Sequence, residues 1–158
     1  MKNLQNLESR CSLTTKKIYQ LLLKANRLIH CPIHREAGNE IISQIEAMAI
    51  NPEERLFCYY LSSRYFYLSY MENEDLEFLE YAHDFLNDLV QFAFDNGIKV
   101  TNRMHFMRAR VKHILSKSVW EEERVEWLVI KANKIVTHIL KKDPYNEEYL
   151  ELQRQLAA

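Results

Sequence analysis

The chain is poor in the residues that punctuate a fold. Its 158 residues include only two glycines, Gly38 and Gly97, and three prolines, Pro32, Pro52 and Pro144. Sheet proteins need many tight turns, and those turns consume Gly, Pro and Asn-Gly pairs. This scarcity excludes a strand-rich fold, and with it a phosphate-cradling glycine loop and a strained nucleophile turn. Cysteine is scarce too. Cys11, Cys31 and Cys58 are an odd set without paired spacing, which argues against a disulfide scaffold and suits free thiols in a reducing cytoplasm, the expected location. No stretch approaches the ~18 uninterrupted apolar residues of a membrane span, so no membrane association is expected. The first residues also lack the apolar run and small-residue cleavage site of a secretory signal.

What is present is apolar and aromatic. Hydrophobic residues make up 47% of the chain and aromatics 11%, enough for a real core and too much for disorder. The length suits one domain over residues 1–158, with 1–11 expected as a flexible N-terminal segment. No Ser/Gly/Pro-rich linker or low-complexity stretch interrupts it.

Charge is sorted by sign, in blocks about one helix long. Residues 9–35 hold six bases and no acid, and residues 36–54 hold five acids and no base. From Tyr65 to Ile98 there are eight acids and no base, and residues 99–117 then hold six bases and no acid. A net charge of -1 therefore conceals strongly polarised segments. Such segments set up complementary faces between neighbouring helices or a charged docking surface for a partner.

The apolar spacing predicts an all-α fold of about six long antiparallel helices and a short C-terminal one, arranged as a bundle or an irregular helical-hairpin array. A first helix over about 13–30 presents Ile18, Leu21, Leu22, Ala25, Leu28 and Ile29. A second, over about 33–50, presents Ala37, Ile41, Ile42, Ile45 and Met48. Asn51-Pro52-Glu53-Glu54 then supplies a cap, a proline at the first helical position and acids at the positive end of the dipole. The helix it opens, about 52–71, carries aromatic rings in nearly every direction and should touch neighbours on several sides. Asn73 caps a helix over about 74–95, which Asn96-Gly97 stops. That helix sets an acidic stripe (Glu77, Glu80, Asp84, Asp88, Asp95) opposite a broad apolar arc. Thr101 caps a basic helix over about 102–117, with a core stripe of Met104, Met107, Val111, Ile114 and Leu115. Ser118-Val119-Trp120-Glu121 reads as a capping box for a helix to about Lys142, and Asn146 caps the last short helix.

The sequence from Ala132 through Val136 to Pro144 and Asn146 resembles the second helix of a tetratricopeptide repeat and the restart after it. The resemblance spans about residues 128–152. Trp120 departs from the small residue expected in the preceding helix, and Ala82 lies far outside the usual repeat period. The resemblance implies an array related in style to tetratricopeptide proteins, binding peptide or protein on a concave surface without chemistry.

Three candidate sites follow. His30, Cys31 and His34 have the spacing of half a zinc site, but no second Cys/His pair completes it. A polar helix corner is the expectation, with no metal and no cofactor. Arg64 shares a side with Phe57, Tyr60, Leu61 and Leu68. Its expected fate is an arginine whose stem covers apolar surface and whose head pairs with an internal acid. The sharper reading makes Arg64, Tyr60 and Tyr67 a carboxylate-binding pocket. The basic helix offers Arg103, Arg108, Arg110, Lys112 and Lys117, with Phe106 interleaved, as a partner-binding surface. Against that, the acidic 74–95 helix should be its hairpin neighbour and cancel most of its field.

The leading expectation is a non-catalytic protein-interaction module, an adaptor, chaperone-like or regulatory protein that docks a protein or peptide through polarised helices. Self-association as a homodimer is compatible with it. One alternative is a nucleic-acid-associated regulator using the 102–117 helix. The other is a small enzyme with a helical-core pocket around Arg64.

Overall fold

The computed structural model describes residues 2–48 and 50–158, with side chains described from Lys16 onward. The elements are α1 (Lys2–Ile29), a 3₁₀ turn (Pro32–His34), α2 (Arg35–Glu46), α3 (Pro52–Asn73), α4 (Leu76–Asp95), α5 (Asn102–Ser118), α6 (Glu122–Leu140) and α7 (Glu147–Ala157). No strand occurs among the described residues, so the fold is all-α, as the scarcity of turn residues required. No helix among these residues is long and apolar enough to cross a membrane.

Local chemistry explains most boundaries. Asn51 accepts the Glu54 amide at 2.8 Å while the Glu54 carboxylate accepts the Asn51 amide at 3.0 Å, a complete capping box with Pro52 inside it. Thr101 and Asn146 cap α5 and α7 through the amides of Met104 and Tyr149. Gly97 takes the left-handed conformation (φ 64°) that ends α4 cheaply.

Several boundaries differ from the sequence expectation. The α1 backbone starts at Lys2 rather than near Leu13. The side chains of residues 2–15 lie outside the described set. Asp75, not Asn73, caps α4, because Glu74 turns into the left-handed region (φ 55°) and closes α3 first. Ser118 closes α5, its hydroxyl donating to the Ile114 carbonyl, so the expected capping box of α6 does not form and Glu121 takes the cap position.

Successive helices pack as hairpins, α1 on α2, α3 on α4 and α5 on α6, with α7 added against α6 and α5. The aromatic α3 joins the first hairpin to the rest: it meets α1 and α2 on one side and α4 on another. Leu56, Tyr60, Leu79, Leu86, Leu89, Met107, Val111 and Leu115 fill the central core. Ile18, Leu22, Ala25, Ile29, Ile42, Ile45, Cys58 and Leu61 fill the core beneath α1 and α2. Phe106, Ala109, Ala132, Val136, Ile139, Tyr149 and Leu152 close the C-terminal end. Within α2 the inward positions are Arg35, Gly38, Ile42 and Ile45, whereas Ala37 and Met48 are exposed, so the expected face is rotated. A close crossing at Gly38 sets that rotation, since a Cβ there would stand 2.7 Å from Ile29 Cγ2.

Candidate functional site

α4 packs on both α3 and α5, which do not pack extensively on each other. The space between α3 and α5 is a groove of about 340 Å³, lined by Tyr60, Arg64, Tyr67, Leu68 and Met71 from α3 and by Arg103, Phe106, Met107 and Arg110 from α5. Helical spacing puts these residues there. Tyr60, Arg64, Tyr67 and Met71 recur every three or four residues along α3, and Arg103, Phe106 and Arg110 do the same along α5. The two sets face one another.

Each arginine lies over a ring. The Arg64 guanidinium carbon is 5.6 Å from the Tyr60 centroid, that of Arg103 is 5.4 Å from Phe106, and that of Arg110 is 5.5 Å from Tyr67. Contacts of this kind stabilise by about 0.5–1 kcal/mol at exposed sites, enough to bias a long side chain toward one orientation. A guanidinium held by its face keeps its in-plane N–H donors for a carboxylate or phosphate. The groove lining contains no acid. Deep in it, the Tyr67 hydroxyl is buried without a hydrogen-bond partner, and burial raises the Tyr67 pKa.

The expected internal acid for Arg64 is absent. Arg64 Nη2 instead donates to His30 Nε2 at 2.6 Å. The ring accepts because it is neutral: burial, then Arg64, then Arg35 lower the His30 pKa. Glu148 of α7 forms an ion pair with Arg103 at the rim of the groove. Beyond Phe106 and Arg110, a second cleft of about 320 Å³ runs between α5 and α7, with Glu148, Glu151, Leu152 and His113 in its walls. The two clefts share Phe106 and Arg110.

The basic helix therefore does not act as one surface. Arg103 and Arg110 face the groove, and Lys117 is exposed at the end of α5. Arg108 and Lys112 point to the opposite side. Lys112, expected on a binding surface, is fully buried. Its Nζ donates to His83 Nε2 at 2.7 Å and to Asn87 Oδ1 at 3.4 Å, and it lies 4.7 Å from the Trp127 ring. Phe106 is also buried, its ring packed against Tyr149 at 5.0 Å, so it forms the wall of the groove rather than a projecting anchor.

No ion pair joins α4 to α5 among the described residues, although Asp84 of α4 offsets part of the burial and positive field at Lys112 of α5. The α4 stripe looks elsewhere. Glu80 accepts two hydrogen bonds from Arg124 of α6, at 2.7 and 2.6 Å. Glu77, Asp84, Asp88 and Asp95 face solvent. At the α1–α2 corner, His30 is engaged with Arg64 and His34 is exposed, and no group of three or more His, Cys, Asp or Glu converges among the described residues. Sequence reasoning had Arg64, Tyr60 and Tyr67 as one candidate and Arg103, Phe106 and Arg110 as another. The structure merges parts of them and adds Glu148, for which the sequence offered no sign, and His30, which the sequence had suggested only as half of a zinc site.

Compared with known protein families, with curated proteins and with solved structures, the chain matches none.

Proposed function

We propose that this chain is a docking module, without chemistry of its own, that holds an acidic segment of a partner protein in the α3–α5 groove. The observation that carries this is the set of three guanidinium groups, Arg64, Arg103 and Arg110, each laid on a ring around one groove that lacks a carboxylate. Three cations at close quarters repel one another until an anion arrives, so acidic side chains gain there what they lose by leaving water. Leu68, Met71 and Met107 line the same groove and offer apolar cover between the acids. Glu148, paired with Arg103, supports this reading and marks where a partner carboxylate would compete. The lining has no carboxylate, imidazole or thiol for acid–base work, which favours binding over catalysis. Because the bases of α5 divide between two faces, they offer no continuous track for a phosphate backbone, which favours a peptide over nucleic acid.

The test is binding of a fluorescent decapeptide of alternating Glu and Leu, followed by anisotropy. Saturable, salt-sensitive binding is expected, and Arg64→Gln/Arg110→Gln together should weaken it by about tenfold or more, because two charge-assisted contacts are lost. The melting temperature should stay close to native. Equal binding by the double variant, or tighter binding of a single-stranded oligonucleotide, would refute the reading. The exposed acids of α4 give a second copy of the chain the same charge as the peptide. Sedimentation at low salt therefore tells whether self-association competes for the groove.

A further inference from the structure

α5 has a second cationic face, turned away from the groove. His105 and Arg108 of α5 meet Lys131, Lys134 and His138 of α6 around a cavity of about 280 Å³, with Ile135 as its apolar wall. Every polar residue in that lining is basic. The central group is Arg108. It is half-buried, and among the described residues its Nε is buried without a hydrogen-bond partner and no ion pair reaches it. A largely desolvated arginine ordinarily sits against a carboxylate, because an unpaired charge out of water is costly. Here burial alone pushes its pKa down.

The His105 imidazole feels its own burial first and then the neighbouring positive charge. His105 and His138 meet edge-on at 6.0 Å. Burial, then Arg108, His138 and Lys142, hold the His105 pKa down at about 4. Five nitrogen-bearing side chains from two helices line this cavity, with an unpartnered buried donor among them and no carboxylate in the lining.

We infer that this α5–α6 cavity binds a small phosphorylated anion, with Arg108 as its fixed donor and Lys131 and Lys134 as the mobile ones. Phosphate fits better than a single carboxylate because three permanent cations and two imidazoles line one cavity, and a phosphoryl group brings up to two charges and three acceptor oxygens. A small free anion fits better than a nucleic-acid backbone because the neighbouring bases do not extend the site. Lys112 is buried behind it, and Arg103 and Arg110 lie on the far face of α5. The cavity is separate from the α3–α5 groove, so the two sites succeed or fail independently.

Inorganic pyrophosphate titrated into the full chain in a calorimeter provides the test. Saturable binding at one site is expected. Arg108→Met should weaken it by about tenfold or more, as a charge-assisted contact is lost. The same substitution should raise the melting temperature of the free protein, because it removes an unpaired, half-buried cation. Lys134→Gln, at an exposed position, should weaken binding several-fold with the melting temperature unchanged, which guards against a folding defect in the first variant. Arg110→Gln should leave pyrophosphate binding as it was. The inference is overturned by the absence of saturable binding, by binding that survives both Arg108→Met and Lys134→Gln, or by binding lost in Arg110→Gln. It is also overturned if a single-stranded oligonucleotide displaces pyrophosphate as a far tighter ligand.

Discussion

Lys112 occupies a place that its chemistry resists. Its ammonium is enclosed by His83, Asn87 and the Trp127 ring, with no carboxylate in contact. Burial, then the fields of Arg108 and Lys131, push its pKa down to about 7, against partial compensation from Asp84. His83 is itself held near 4, chiefly by burial and then by Lys112, so it stays neutral and accepts the lysine's hydrogen bond. A lysine in the unfolded chain titrates near ~10.4. Between about pH 7 and pH 10 the unfolded state therefore binds more protons than the folded one, and stability rises with pH across that window. Below it both states are protonated and this contribution is flat. Urea denaturation at the two ends of the window should show the native protein gaining roughly 1–3 kcal/mol, a figure discounted for solvent and relaxation around the site. Lys112→Met should lose that gain and be more stable than native at neutral pH, since apolar substitutes for buried charges often stabilise. An unchanged pH slope in the variant would show that other groups carry the effect. Cys58 shows the opposite consequence of burial. Its thiol pKa is pushed up to about 12 by burial and then Glu46, which makes it inert core rather than a nucleophile.

Between elements, the α1–α2 corner is held by two residues whose types suggest neither role. Arg35 ends a basic block in the sequence, yet it is buried and braces three segments. Its Nε donates to the Ile29 carbonyl at 2.9 Å, and its Nη1 donates to the Leu68 carbonyl at 3.2 Å and to Glu72. It thereby satisfies the open C-terminal end of α1 and ties it to α3. Arg35→Met keeps the apolar stem and strands two carbonyls, so it should destabilise by roughly 1.5–3 kcal/mol in chemical denaturation. Gly38 acts through its missing side chain. A Cβ would meet Ile29 Cγ2 at 2.7 Å and the Ile29 backbone nitrogen at 2.9 Å, so α1 and α2 would have to separate. Helix propensity alone favours Gly38→Ala by up to ~1 kcal/mol. The close crossing should win, giving a net loss of about 1–3 kcal/mol in thermal unfolding. A stabilised variant would mean that α1 slides at little cost.

Across the whole molecule, sequence blocks of charge do not translate into paired faces. Reversal of Arg103, Arg110 and Lys117 together to Glu discriminates cleanly. Were α4 and α5 joined by their charges, the variant would lose several surface pairs at ~0.2–1 kcal/mol each. In this fold the reversal forfeits, among the described residues, the exposed Arg103–Glu148 pair and the ring contacts of Arg103 and Arg110. The melting temperature should therefore fall by no more than a few degrees, with circular dichroism still helix-dominated, while acidic-peptide binding disappears. A collapse in stability would place the α4 field back on α5. Phe106→Ala makes a contrasting test, because its ring joins α5 to Tyr149 of α7 and leaves a core cavity when removed. A loss of about 3–5 kcal/mol is expected, read by denaturation, with hydrogen exchange rising first in α7.

Helix number and most helix ends were legible in the sequence because they depend on local chemistry. Asn51 with Glu54, Thr101, Asn146 and Gly97 act within four residues of themselves, and the apolar periodicity of α4 and α6 states which face is buried. The same reasoning found Arg64 with Tyr60 and Tyr67, and it found Arg103, Phe106 and Arg110 only within a wider basic set that also held Arg108, Lys112 and Lys117. It could not join them. Those two helices meet across a groove only because α4 carries both, and no spacing along the chain encodes that separation. Nor could it tell which of the α5 bases would be buried: an arginine or lysine beside a core stripe faces solvent or interior according to the helix laid against it. α6 covers Arg108 and Lys112, and nothing covers Arg110. The sequence by itself determined that the chain is helical, where most helices begin and end, and the buried faces of α4 and α6; only the tertiary packing decided which charges were left without partners, because charge pairing acts across space and the chain fixes distance only along itself.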